Sequence, residues 1–462
     1  MSTQVLEVRS RRDIIDFVNS NPVSRSGFKI ILLALAGVFV DAYDFTSIGI
    51  GTAQLQEQFN LSSVELGSLT AVMAVGSLLG AVFGGYYTDK FGRNKMFMID
   101  LFLMVFAAFG AALSPNYACL IIFRLLMGIG VGLDIPIALS FIAEYSNMKK
   151  KGSNVTLWCP LWFCAASATG LIALPFYLLD QHEYIWRWSV GLGGVFALIV
   201  LFLRYFYMNE SPMWAANYLS IEEGAKVISR TYNIEVIVHP EAAGHAGLEK
   251  KKKVPYTTIF KGKYRIRTIL ASIITFTQSM EYFAVGFYIP TISTLLFGKG
   301  VIYAIVGTIV FNLFGALGGF LGSSLNTSWG VRKLSIVGYI AAVIGLLCMG
   351  LFGETYIGIS VVLLAAFIFG HAFGPGSQGM TMATLSYPTE LRGIGAGFGQ
   401  GATRVGSILG FFLFPVVLAA AGLYNTLLLL AIVPFLGLAA TLLIKWEPIG
   451  HDVENEAIEL NA

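Results

Sequence analysis

Six ionisable side chains lie inside long apolar segments of the sequence. They are Asp41, Asp44, Arg124, Asp134, Glu281 and Arg404. A charge at the centre of a bilayer costs on the order of a few kcal/mol, so such a residue usually faces a cavity and carries function. Because these four acids outnumber the two bases, a carboxylate whose cationic partner moves away can take up a proton. The set therefore predicts proton binding that is tied to a change of conformation.

Two of these acids reach similar depth in the first helix of each half of the chain. Asp44 lies about 22 Å of helical rise beyond Lys29, at 1.5 Å per residue, and Glu281 lies about as far beyond Arg267. Asp134 is also about midway along its own apolar segment. We therefore predict that Asp41, Asp44, Arg124, Asp134 and Glu281 form the proton-coupling set.

A second group of polar and aromatic residues at similar depth predicts a solute site. Its members are Trp162, Gln278, Glu281, Tyr282, Asn312, His371, Gln378 and Arg404. A single guanidinium among aromatic residues suits a small carboxylate better than a polyol, because arginine binds carboxylates in a bidentate manner. Two alternatives stay open: Arg404 pairs with Glu281 or a backbone carbonyl, and His371 is a structural hydrogen-bonding group.

The composition excludes an ordinary soluble domain. Of the 462 residues 56% are hydrophobic and only 12% are charged, against about 25% charged in soluble proteins. The sequence contains no HExxH, GxSxG or phosphate-binding GxxxxGK[ST] motif, so we expect no enzyme, no cofactor and no metal. Nucleic-acid binding is not expected either, because anionic lipid accounts for the basic residues.

About twelve segments are long and apolar enough to cross a bilayer, which needs roughly 20 residues each. The predicted spans are 28–50, 64–88, 95–114, 117–145, 153–178, 187–208, 266–290, 300–325, 333–352, 356–386, 391–420 and 423–445. The predicted fold class is an all-α integral membrane protein with twelve transmembrane helices in two six-helix lobes. The corresponding domains are an amino-terminal segment 1–27, a lobe 28–208, a linker 209–264, a lobe 265–445 and a tail 446–462.

The positive charges predict the orientation of the spans. Lysine and arginine cluster in the loops on the side of the two termini, whereas the opposite loops hold little more than Arg187 and Lys299. The positive-inside rule therefore places both termini in the cytoplasm. No cleaved signal peptide is indicated, and we expect a monomeric, multi-pass protein of the plasma (cell inner) membrane, in contact with lipid.

The loop between the second and third spans carries a recognisable motif. It reads GGYYTDKFGRNK over 84–95 and includes Gly85, Asp89 and Arg93. It resembles the signature loop of the major facilitator superfamily. A second copy between spans 8 and 9, SLNTSWGVRK with Arg332, has lost its acid.

Further segments resemble the sugar-porter and metabolite:proton symporter branch of that superfamily. They are RLLMGIGVG, AEYSNMKKKG, WRW, NESPMW and YPTELRG. The resemblance implies a midplane site between two lobes and alternating access. It also implies a cytoplasmic latch formed by Gly85, Asp89, Arg93, Glu144, Lys151, Glu210, Arg332 and Arg392. Surface charge without a gating role is the alternative for each of these charged residues.

The resemblance bears on the proton and the solute as well. It places the proton on Asp44, with Arg124 as partner, although a static buried ion pair is the alternative. DAYDF and GLDIP resemble the phosphate:proton symporters, but Ile135 stands where those proteins have a ligating tyrosine. Gln278 matches the sugar porters, but Phe283 replaces their asparagine.

The predicted function is proton-coupled uptake of a small polar metabolite, such as an organic or aromatic acid, by alternating access. The alternatives are a sugar:proton symporter of the same fold, a transport-inactive membrane sensor and an exporter. The predicted ligands are thus a small-molecule solute and protons.

Overall fold

The computed structural model describes residues 5–49, 52–179, 184–240, 255–298, 301–454 and 456. The first six spans are Arg25–Ser47, Ser63–Phe91, Arg93–Ala112, Tyr117–Tyr145, Trp158–Leu178 and Ile185–Tyr207. Span 7 is Gly262–Val285 continued by Ile289–Phe297, spans 8 and 9 are Val301–Trp329 and Val331–Phe352, and span 10 is Ile357–Phe373 continued by Pro375–Leu385. Spans 11 and 12 lie in Thr389–Leu430 and Ile432–Leu443.

The helical segment Thr389–Leu430 contains span 11 and the beginning of span 12. Gly422 has the non-helical angles φ 74° and ψ 171°, so the chain turns there. By length and hydropathy, ten described helices can cross a membrane, or eleven if the bent pair Arg11–Ser20 and Arg25–Ser47 is one span. Span 11 is the most polar, with Arg392 and Arg404 among its residues. The helices agree with the predicted twelve-span fold class.

Glycines allow spans 2 and 4 to pack backbone against backbone. A Cβ added at Gly76 would lie 2.3 Å from the Leu125 carbonyl oxygen, and one added at Gly132 would lie 2.2 Å from the Ser77 carbonyl oxygen. Small residues permit this approach where lipid gives no hydrophobic drive for helix association. The tight pair holds Asp134 of span 4 at a fixed position in the first lobe.

The end of the bundle that carries both chain termini, here the termini face, has structure of its own. Strands Val5–Val8 and Glu235–Val238 form a parallel pair, and helix Arg11–Ser20 packs with the linker helices Pro212–Tyr218 and Ile221–Tyr232. Their apolar side chains form a small separate core. The linker between the lobes therefore contains the helix Ile221–Tyr232, and its lysine run 250–253 lies outside the described residues.

Candidate functional site

A cavity of about 390 Å³ lies in the middle of the bundle between the two lobes. All of its lining residues are buried. The lining residues are Ile135, Trp158, Cys159, Trp162, Phe163, Gln278, Tyr282, Phe283, His371, Gly376, Gln400, Thr403 and Arg404. Those from spans 4 and 5 are apolar or aromatic, whereas spans 7, 10 and 11 supply nearly all the polar groups.

Arg404 of span 11 is the charged centre of this cavity. Its side chain is 1% exposed and its guanidinium lies 4.8 Å from the centroid of the Phe45 ring. With its amide oriented so that Oε1 faces the guanidinium, Gln400 accepts a hydrogen bond from Nη2 at 2.7 Å. Nη1 has no hydrogen-bond partner in the described part of the chain. Arg404 therefore presents one unsatisfied N–H group to a buried, largely aromatic cavity.

Glu281 does not pair with Arg404, which removes one alternative left open by the sequence. Its Oε1 lies 2.7 Å from Nδ1 of His371 in span 10, and both side chains are buried. His371 lines the cavity while Glu281 lies behind it. The Tyr282 ring stacks on His371 with centroids 5.2 Å apart. The pair therefore places a carboxylate and an imidazole in hydrogen-bond contact in the wall of the cavity.

The structure separates the remaining predicted solute residues into two groups. Trp162, Gln278 and Tyr282 line the central cavity, and Trp162 Nε1 donates to the Tyr282 hydroxyl at 3.3 Å. Asn312 lines a different cavity farther from the termini face. Gln378 lines neither, because its Oε1 accepts a hydrogen bond from Asn326 at 2.6 Å closer to the termini face. The structure therefore does not bring Asn312 and Gln378 into the central cavity with the other members of the predicted set.

Asp44 and Arg124 meet in an unexpected manner. Arg124 Nη1 donates to the backbone carbonyl of Asp44 at 3.0 Å, while neither carboxylate oxygen of Asp44 has a hydrogen-bond partner among the described residues. The carboxylate lies against Gly193 of span 6, where an added Cβ would be 1.8 Å from Oδ1. The Asp44 side chain is thus held by packing. The hydrogen bond of Arg124 goes to the Asp44 backbone and not to its carboxylate.

Sequence reasoning missed two residues of a buried charge cluster in the first lobe. Arg204 of span 6 donates to Asp134 Oδ1 at 2.9 Å and lies 3.9 Å from Asp100 of span 3. It also donates to two backbone carbonyls of span 1, at 3.1 and 2.9 Å. All three side chains are buried. The cluster positions Asp134 close to span 1, which carries Asp41 and Asp44.

The signature loop and its second copy are built alike. Glu210 accepts hydrogen bonds from the first two backbone N–H groups of span 3, at 3.0 and 3.1 Å. Glu447 does the same at the start of span 9, at 3.1 and 2.9 Å. Each helix follows a glycine of positive φ, Gly92 at 100° and Gly330 at 80°. The tail therefore supplies the counterpart of Glu210, whereas the acid that the second copy lacks is the counterpart of Asp89 within the loop itself.

Burial raises the pKa of Glu210, although three backbone N–H groups and the Arg93 guanidinium oppose that shift. A carboxylate at the start of a helix is favoured by the helix dipole. Both glycines are required on steric grounds as well, since a Cβ on Gly92 or Gly330 would lie 2.5 Å from the acid's oxygen.

One acid links the two lobes at the termini face. Glu144 of span 4 accepts from Arg93 at 2.8 Å and lies 3.5 Å from Arg392 of span 11. Arg392 in turn binds Glu454 of the tail. A second link joins Arg11 of the amino-terminal helix to Glu390 at 2.8 Å. The termini face is thus closed by ion pairs that cross from one lobe to the other.

The other predicted latch residues have separate positions. Lys151 donates to the Asn19 side chain at 3.0 Å. Arg332 donates to two carbonyls at the end of span 12, at 2.9 and 3.0 Å. Gly85 and the side chain of Asp89 lie outside the described part of the structure.

Comparisons with known proteins agree with this architecture. A family model described as sugar (and other) transporter matches residues 28–455. The putative metabolite transport protein YaaU of Escherichia coli K12 is 27% identical, with 89% of this chain and 90% of that protein aligned. The 4-hydroxybenzoate transporter PcaK of Pseudomonas aeruginosa is 23% identical, with 96% and 98% aligned.

Solved structures show the same fold. A structure of the proton:xylose symporter XylE with a bound bromodeoxyglucose has a TM-score of 0.78 at 20% identity, covering 94% of this chain and 98% of that one. Together with the family match, this likeness places the two lobes and the central cavity in a common transporter architecture. The chain belongs to the sugar (and other) transporter family of the major facilitator superfamily, and it is a membrane transporter rather than an enzyme.

Proposed function

We propose that this transporter couples the uptake of a small aromatic or other organic acid to an inward flow of protons by alternating access. The observation that carries this proposal is the unpaired Nη1 of buried Arg404 in the central cavity. A buried N–H group without an acceptor is unfavourable, so the carboxylate of an anionic solute would supply the acceptor that Nη1 lacks.

The walls of the cavity favour a planar solute. Trp158, Trp162, Phe163 and Phe283 surround the arginine with rings, and aromatic rings pack against one another in offset or edge-to-face geometry. The carboxylate would bind Arg404 while the solute's body contacts these rings. PcaK, a relative of this chain, transports 4-hydroxybenzoate according to its name, which agrees with the proposed solute class.

The proton is proposed to bind Asp44 in the first lobe. Its carboxylate is buried and lacks a hydrogen bond among the described groups, so ionisation is disfavoured there unless Arg124 approaches. Movement of the two lobes would change that approach. The latch of Glu144 and Arg392 would hold the termini face closed, which we assign to the cytoplasm, until solute and proton are both bound.

Uptake in proteoliposomes tests the proposal. Labelled benzoate should accumulate only under an inward proton gradient, and a protonophore should abolish the accumulation. Arg404→Gln should weaken benzoate binding roughly 10- to 100-fold, because hydrogen bonds to charged groups contribute about 1.5–3 kcal/mol.

The matched control is Arg187→Gln. Arg187 packs over the Trp186 ring and donates to the Ala112 carbonyl, away from the cavity, so benzoate binding should be unchanged. Accumulation of xylose instead of any acid would favour the sugar:proton alternative. Concentrative benzoate uptake that survives the protonophore, with sodium absent, would refute proton coupling.

A further inference from the structure

The amino-terminal segment, residues 5–20, forms a strap across the termini face. Its strand Val5–Val8 pairs in parallel with the strand of the linker, and the helix Arg11–Ser20 follows. The Asp13 carboxylate accepts a hydrogen bond from the Ser10 N–H at 2.8 Å, which fixes the start of this helix. The helix makes an angle of 88° with span 1. The strap therefore runs along the face rather than into the bundle.

Apolar packing anchors the strap to the linker. Ile14, Phe17 and Val18 of the strap are buried in one cluster with Met213 of the linker. The Phe17 ring also meets the ring of Tyr232 edge to face, with centroids 5.0 Å apart. Detaching the strap would expose these side chains to water, which is unfavourable. The strap and the linker helices therefore stay together when the transporter changes conformation.

Hydrogen bonds hold the strap and the linker on the first lobe. The Met148 N–H, just after span 4, donates to the Asn19 carbonyl at 3.0 Å, and the Lys151 ammonium donates to the Asn19 side chain at 3.0 Å. The Ser24 hydroxyl at the start of span 1 donates to the Thr231 carbonyl of the linker at 2.7 Å. The strap, the linker helices and the first lobe are thus joined to one another on this face.

The first residue of the strap helix reaches across to the second lobe. Arg11 Nη1 lies 2.8 Å from Oε1 of Glu390 in the first turn of span 11, and the two side chains are 21% and 8% exposed. Partial burial limits screening by water and salt, so the pair contributes more than a fully exposed one. Opening of the termini face separates the two lobes here. The Arg11–Glu390 contact must then break, whereas the anchors of the strap on the first lobe can stay.

We propose that the strap is a gating element, which holds the termini face closed through Arg11 and so sets how often the central cavity opens to that side. This inference rests on the proposed function in one respect, that alternating access opens the termini face. The strap differs from the latch of Glu144 and Arg392, because those residues belong to spans of the bundle. Loss of the Arg11–Glu390 pair should raise the open fraction of the transporter while the cavity itself is unchanged.

Chemical labelling of Cys159 in the full-length protein measures this opening. Cys159 lines the central cavity and is 2% exposed, so a reagent on the termini side reaches it after that face opens. Cys119, Cys164 and Cys348 are replaced by serine, and a small membrane-impermeant thiol reagent is added to vesicles that expose the termini face. Arg11→Gln should raise the labelling rate about two- to fivefold, the size expected for one partly exposed ion pair.

Further variants separate the ion pair from other effects of the substitution. Glu390→Gln should raise the labelling rate to a similar extent, and the double variant Arg11→Gln, Glu390→Gln should go no further, because both changes remove the same contact. Arg11→Lys keeps the charge and should stay near the wild-type rate. The matched control is Arg12→Gln, since Arg12 pairs with Asp16 of its own helix at 3.5 Å, and its labelling rate should equal that of the wild type.

Three results would contradict the strap. Equal labelling rates in the wild type and Arg11→Gln would overturn it while leaving alternating access intact. Additive increases in the double variant would overturn it too, because Arg11 and Glu390 would then act separately. If Cys159 reacts in none of these proteins, the termini face does not open onto the cavity, and the alternating access of the proposed function fails together with the strap.

Discussion

The buried charged residues of the two lobes have different surroundings. In the first lobe Asp100, Asp134 and Arg204 form a closed cluster, and Asp44 is packed against span 6; none of these side chains lines the central cavity. In the second lobe Arg404 projects into the cavity with a free donor. The buried acids Asp44, Asp100 and Asp134 of the first lobe thus lie away from the cavity, whereas the second lobe presents a cation to it.

This difference explains why solute and proton need not compete for one site. Spans 4 and 5 of the first lobe line the cavity mainly with aromatic rings. The acids of that lobe are not among the lining residues. The second lobe gives the polar groups, including the His371 that contacts Glu281. A relative movement of the lobes changes both environments at once, which is what coupling requires. Variants that damage one lobe's charges should then affect one process more than the other.

The largest effect is expected for Asp44→Asn. Asparagine imitates the protonated acid, and the hydrogen bond of Arg124 survives because its acceptor is the Asp44 backbone. Benzoate binding and downhill exchange should persist, while accumulation under a proton gradient falls to background. Uptake and counterflow assays on the same proteoliposomes measure both. Arg404→Gln should instead weaken benzoate binding and so reduce exchange and accumulation together.

A double variant distinguishes the proton carrier from a static pair. If Asp44 only neutralises Arg124, Asp44→Asn lowers folding yield, and adding Arg124→Gln restores both yield and accumulation. If Asp44 carries the proton, the double variant folds but stays uncoupled. Recovery of proton-driven accumulation in the double variant would contradict our assignment and make Asp134 or Glu281 the next candidate.

The second prediction concerns stability and again contrasts the lobes. Arg204→Gln leaves two buried acids without their cation and should lower the free energy of unfolding by about 3–5 kcal/mol. Glu281→Gln leaves an amide that can still hydrogen-bond to His371, so the loss should be nearer about 1 kcal/mol. Thermal unfolding in detergent measures both. Equal losses of unfolding free energy in the two variants would mean that the first-lobe cluster stabilises the fold no more than the Glu281–His371 pair does.

The sequence predicts the helices better than the partners of the buried charges. The spanning segments follow from the apolar runs, and they match the structure. Arg204 was missed because it lies among Tyr205, Phe206 and Tyr207 near the end of span 6, where an arginine is typical of an interface. Asp100 in span 3 was the available signal, since a buried acid requires a cation or a proton.

Glu447 was missed for a different reason. Residues 446–462 are predicted only as a tail, yet Glu447-Pro after span 12 repeats the Glu210-Ser-Pro arrangement after span 6. Comparing the two halves at that point would have found it. The division of Asn312 and Gln378 from the central cavity had no such signal, because depth along a helix does not specify which face a side chain occupies.

The smallest expected effect concerns the tail residue Glu454, which binds Arg392 of the second lobe at the latch. Burial by itself raises the pKa of Glu454, but the Arg392 guanidinium and the Lys151 ammonium outweigh it and hold the pKa below its ordinary 4.5. A lowered pKa stabilises the folded protein above that ordinary value, and the contribution is lost as pH falls through the lowered one. Glu454→Gln should thus cost about 1 kcal/mol at neutral pH, since Arg392 keeps its contacts with Thr389 and Glu144. The melting temperatures of variant and wild type should converge in acid below about pH 4; a gap that widens there would show that the tail acid does not stabilise the latch through its charge.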